Sequence, residues 1–143
     1  MKKRYGKSGF TLVEVLTVVT VIALIAAIAM PRFWRAHDRA QYTSCSQNLK
    51  TIATALETYA VENQLQADKY PTALTSLTPR YVSVLPVCPS ALGLNVTNSY
   101  TSSYERSSDP AAYTIYCQGN YHQTVGYSAN EPWYRSGEGL GPK

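Results

Sequence analysis

The sequence predicts an α+β fold: one long N-terminal helix whose second half packs against a small antiparallel sheet. Three observations predict it. Phe10–Met30 (FTLVEVLTVVTVIALIAAIAM) is apolar except for Glu14. Leu49, Ile52, Ala53, Leu56, Tyr59 and Ala60 recur at three- and four-residue spacing, which lays an apolar stripe on one face of a helix. Ser99–Glu105 (SYTSSYE) and Ala111–Cys117 (AAYTIYC) alternate as half-buried strands do.

Taken in order, residues 1–9 (MKKRYGKSG) form a short basic leader. The 21 apolar residues that follow make about 31 Å of helix at 1.5 Å per residue. A bilayer core is about 30 Å thick, so residues 10–31 are expected to span it. Lys2, Lys3, Arg4 and Lys7 precede the span, and the positive-inside rule keeps that end cytoplasmic and sends the rest outward.

Pro31 lacks a backbone donor and disfavours helical geometry in the residue before it, which predicts a kink there rather than an end. The helical period resumes beyond it, so one helix is expected over 10–63, apolar all round and then amphipathic. Arg32, Arg35, Asp38 and Arg39 fall at the outer interface, with Phe33 and Trp34 as aromatic anchors. Residues 32–143, including the amphipathic half-helix, form the exported domain.

Pro71, Pro79, Pro86 and Pro89 exclude a long helix or central strand over 68–94, leaving a helical turn at 73–77. Arg106–Pro110 supplies turn chemistry between the two alternating segments, predicting a hairpin. From Gly119 the chain reads as loop with at most one further strand. The expected core joins Leu49, Ile52, Leu56 and Tyr59 to Leu74, Leu77, Tyr113 and Ile115. Tyr100, Tyr104, Tyr113 and Tyr116 are read as strand tyrosines packed against the helix rather than a binding face.

The formal charge of +4 is misleading. Four of the thirteen basic residues lie in the leader, and without them nine basic face nine acidic. The charge gives no support for nucleic-acid binding. Three cysteines allow one disulfide with one left over. Cys88–Cys117 is the expected pair, closing a loop of about 30 residues worth roughly 3–4 kcal/mol by chain entropy. Cys45 is left unpaired, with pairings through it open. Cys88, Cys117 and His122 match no paired C-x-x-C spacing and show no fourth ligand, so no metal is expected. No Ser/His/Asp or Cys/His catalytic set and no phosphate loop stands out, so neither an enzyme nor a cofactor is expected. Asn95-Val96-Thr97 matches the glycosylation sequon, a tripeptide common by chance.

Glu14 carries the strongest argument. A charge inside the bilayer costs on the order of 2.5–3.5 kcal/mol on insertion scales, and no basic residue lies within the apolar run to pair with it. A cut between Gly9 and Phe10 would create an α-amine about one turn before Glu14. A neighbouring copy, shifted along the membrane normal, would offer the same amine.

Lys7-Ser8-Gly9-Phe10-Thr11-Leu12-Val13-Glu14 resembles the leader signal of type IV pilins and type II secretion pseudopilins. Gly9, Phe10 and Glu14 match residue by residue, and Pro31 falls where these proteins commonly carry a proline. The resemblance is specific over residues 6–35 and continues more generally in NLKTIATALETYAVEN and KYPTALTSL. The Asp-Pro-Trp-Gly stretch common in major secretion pseudopilins does not occur. The resemblance implies cleavage after Gly9 and N-methylation of Phe10 by a prepilin peptidase. It also implies Glu14 pairing with a neighbouring subunit's amine, a pilin-like fold, and residence in the bacterial inner membrane before assembly into a periplasmic or extracellular filament. The subunit would be a pseudopilin or a minor pilin. The rival is a secreted or membrane-anchored enzyme or binding module with an ordinary signal, for which Ala27-Ile28-Ala29 would be the cleavage site. The length of the apolar run and Glu14 speak against it.

Overall fold

A computed structural model describes residues 9–64, 68–108 and 111–141. The chain divides into two compact units, Met1–Arg35 and Ala36–Lys143. The long helix α1 (Leu12–Glu62) contributes to both and is α-helical through Pro31.

In the first unit α1 is exposed on every side, from Leu12 to Arg35. It is long and apolar enough to cross a membrane. Two of its threonine hydroxyls bond back to carbonyls of the same helix. The Thr17 hydroxyl donates to the Glu14 carbonyl at 2.9 Å, and the Thr20 hydroxyl to the Thr17 carbonyl at 2.8 Å.

In the second unit the predicted stripe becomes the core. Leu49, Ile52 and Leu56 are fully buried with Leu74, Leu77, Tyr113 and Ile115; Tyr59 sits half-buried at the edge. The expected turn at 73–77 is a 3-10 turn, Leu74–Leu77. A four-residue helix, α2 (Pro89–Leu92), follows, with proline in its first turn, where no donor is needed.

Four strands form one antiparallel sheet in chain order: β1 (Glu105–Ser108), β2 (Ala111–Tyr116), β3 (Trp133–Arg135) and β4 (Gly139–Gly141). Glu105 faces Thr114 across the first pair, and Ile115 faces Tyr134 across the second. Along β2, Tyr113 and Ile115 are buried while their neighbours are only partly so, as period-two alternation requires. The Tyr113 hydroxyl donates to the Ala53 carbonyl of α1 at 3.5 Å, and the Tyr104 hydroxyl to the Pro71 carbonyl at 2.8 Å.

The hairpin differs from expectation at its first strand. Pairing starts only at Glu105, and Thr101–Ser103 is a 3-10 turn. Hydroxyls explain it: Thr101 and Ser102 donate to the Asn98 carbonyl at 3.3 and 3.0 Å, and Ser103 donates to the Tyr100 carbonyl at 2.8 Å. Such side chains offer the backbone a local alternative to a ladder. Strand pairing instead takes up Arg106–Ser108, which sequence assigned to the turn; Asp109 and Pro110 lie outside the described residues. The tail carries two strands rather than at most one. They are joined through Ser136–Glu138, with Gly137 and Gly139 at φ 82° and 88°, a region glycine enters without strain.

Candidate processing and assembly site, and a buried thiol cluster

The first candidate site lies where α1 begins. Thr11 immediately precedes the helix and closes a reciprocal pair of hydrogen bonds with Glu14. The Glu14 N–H donates to Thr11 Oγ1 at 3.2 Å, and the Thr11 N–H donates to Glu14 Oε2 at 3.2 Å. The Thr11 hydroxyl lies 3.2 Å from the same carboxylate oxygen. This is a capping box, in which a hydroxyl and a carboxylate three residues apart satisfy two amides that helix geometry leaves orphaned. The carboxylate also sits at the positive end of the helix dipole. Gly9, just upstream, is exposed and has open space where a side chain would project. Phe10 is 87 % exposed. Residues 1–8, with the basic leader, lie outside the described residues.

Sequence reasoning treated Glu14 as a charge waiting for a partner. The structure adds that its first partner is within the chain. Thr-x-x-Glu at a helix start is the sequence signal of this pairing.

The second candidate site lies in the second unit, where Cys45 adds the fourth group that Cys88, Cys117 and His122 lack in sequence. Cys45 on α1, Cys88 just before α2, Cys117 just after β2 and His122 in the following loop converge. One ligand atom from each lies within 4.8 Å of all the others. All four are buried, the cysteines completely and His122 to 1 % exposure. His122 Nε2 is 3.4 Å from Cys88 Sγ, and Nδ1 has no hydrogen-bond partner among the described residues. The Tyr100 hydroxyl donates to Cys45 Sγ at 3.0 Å. The Tyr42 ring covers the imidazole edge-on, 5.3 Å between centroids.

No bond joins the expected pair Cys88–Cys117 in the structure, where the three cysteines stand unbonded. Nor is Cys45 apart from the other two, because the stripe that carries Leu49 and Ile52 inward carries Cys45 with it.

Comparison with known proteins bears on the first site. A family model described as "Prokaryotic N-terminal methylation motif" matches residues 4–30, which include Gly9, Phe10 and Glu14. Residues 4–30 thus carry the pattern of an N-terminal methylation motif. A curated relative, "Type II secretion system core protein G" of Pseudomonas aeruginosa, is 36 % identical over 61 residues, 43 % of this chain and 43 % of its own. The chain thus spans less than half the length of the curated relative it matches. No solved structure matches. The motif ends at Met30, one residue before Pro31, so it covers the apolar run and leaves the thiol cluster outside.

Proposed function

We propose that this chain is a structural subunit of a type IV pilus-like filament, a pseudopilin or minor pilin. The observation that carries the reading is the methylation motif over 4–30, laid on an apolar helix whose capping box starts two residues after Gly9. A prepilin peptidase cuts between Gly9 and Phe10 and methylates the Phe10 amine. Before the cut, residues 1–9 hold the N-terminus in the cytoplasm and residues 10–31 hold the chain in the inner membrane. After it, the new amine lies beside Glu14. Subunits then gather through their apolar helices, with Glu14 of one copy and the amine of another fixing the axial step, in a periplasmic or extracellular filament. Pro31 marks a place where the helix yields during that packing. Residues 32–143 form the outward domain, and the protein is not an enzyme.

Intact mass of the mature protein tests the reading. A chain that begins at methylated Phe10 is expected. One that begins at Met30, after Ala27-Ile28-Ala29, would mark an ordinary secretory signal and sink the proposal.

A further inference from the structure

We propose that Cys45, Cys88, Cys117 and His122 form a structural zinc site. The inference concerns the exported domain and is independent of the filament reading.

The donor set points to a thiophilic ion. Three sulfurs and one imidazole make a Cys3His arrangement, a common structural ligand set for Zn²⁺. With the usual Zn–S and Zn–N lengths, tetrahedral ligand atoms lie about 3.5–3.8 Å apart. His122 Nε2 and Cys88 Sγ at 3.4 Å, and all four ligand atoms within 4.8 Å, match that scale with little rearrangement. Hard oxygen-seeking ions such as Ca²⁺ or Mg²⁺ do not fit, since no carboxylate joins the cluster. Complete burial leaves no open coordination position, so the site is structural rather than catalytic.

The alternative occupant is a disulfide, and it fits less well. Bonding any two of the three sulfurs leaves a third thiol and an imidazole buried beside it. A single ion engages all four groups at once. Binding Zn²⁺ to three thiols and a neutral imidazole releases three protons and leaves one net negative charge on the centre. The Tyr100 hydroxyl, donating to Cys45 Sγ, is placed to stabilise that charge.

Topology gives the site its use. The ligands come from α1, from the start of α2, from the end of β2 and from the loop after it. One ion would tie the helix, the proline-rich segment and the sheet together. A domain of about 100 residues with very short strands gains from such a staple.

The test uses the full-length chain purified in detergent. Elemental analysis is expected to give about one zinc per chain, with all three thiols reduced and unreactive until a chelator is added. Replacement by Co²⁺ is expected to produce thiolate-to-metal charge transfer and the intense visible bands of a tetrahedral ion. His122→Ala should alter those bands and weaken Co²⁺ binding by roughly tenfold or more; Cys117→Ser should diminish the charge transfer. A metal-free protein two hydrogens lighter than the reduced chain would overturn the proposal in favour of a disulfide. So would a reduced wild-type chain that takes up no Co²⁺. The wild-type measurements decide the matter even if a variant fails to fold.

Discussion

Thr11 and Glu14 hold each other at the start of α1, each side chain accepting the other's backbone N–H at 3.2 Å. The same carboxylate is the one charge in the apolar run. Glu14 therefore has two separable properties, a capping geometry and a charge.

Glu14→Gln separates them. Glutamine serves in a capping box as glutamate does, so the helix start should survive. Glu14→Ala removes both. If the charge fixes the axial step between subunits, both variants should insert and be cleaved yet yield few filaments. Filament yield read by electron microscopy, beside cleavage read by mass, checks this. Wild-type filaments from Glu14→Gln would show that capping alone matters.

Core substitutions in the second unit should follow burial. Leu56 of α1 is fully buried in the core, so Leu56→Ala should cost about 2–5 kcal/mol. Arg80 pairs with Glu62 at 2.9 Å but is largely exposed, so Arg80→Ala should cost less than about 1 kcal/mol. Denaturant unfolding of the detergent-solubilised chain, followed by tyrosine fluorescence, compares them.

Two glycines should respond oppositely to alanine. A Cβ at Gly141 would collide with the Trp133 indole across the β3–β4 pair, so Gly141→Ala forces the ring aside and should cost about 1–3 kcal/mol. Gly93 has φ −60° and ψ −18°, and a Cβ there meets nothing nearer than 3.7 Å. Gly93→Ala should be neutral or stabilising by up to about 1 kcal/mol. Thermal melts would distinguish the pair.

Alkali should destabilise the second unit. Burial, then the Glu57 carboxylate, pushes the Tyr70 hydroxyl from 10.0 up to about 12. Burial also raises Tyr104 to about 12. The unfolded chain loses these protons first, so stability is full below pH 10 and falls as pH rises toward about 12. Tyrosinate absorbance should appear in part only on unfolding, and Tyr70→Phe should reduce that late fraction.

The sequence made the helical half of this fold readable because its signals are periodic and long. The stripe from Leu49 to Ala60 repeats over several turns, and no local competitor disturbs it. The sheet was harder. Ser102 and Ser103 alternate with tyrosines as a strand would, yet their hydroxyls bind nearby carbonyls and close a turn. Trp133–Arg135 is three residues long, too short for alternation to register. The N-terminal motif was legible because its residues are contiguous. The thiol cluster was not, because Cys45, Cys88, Cys117 and His122 meet only after the chain has folded. Spacing rules detect ligands that share a loop; these come from four separate places.

The first half of α1, exposed on all sides, has a consequence for how the protein would move between membrane and filament. Its side chains would exchange one oily solvent, lipid tails, for another, the flanks of sister helices. Such an exchange changes apolar burial little, so it is close to reversible. Direction and spacing must then come from the few polar atoms on the rod. A nearly balanced transfer governed by one carboxylate suits a filament that is built and taken down repeatedly, because neither state is a trap.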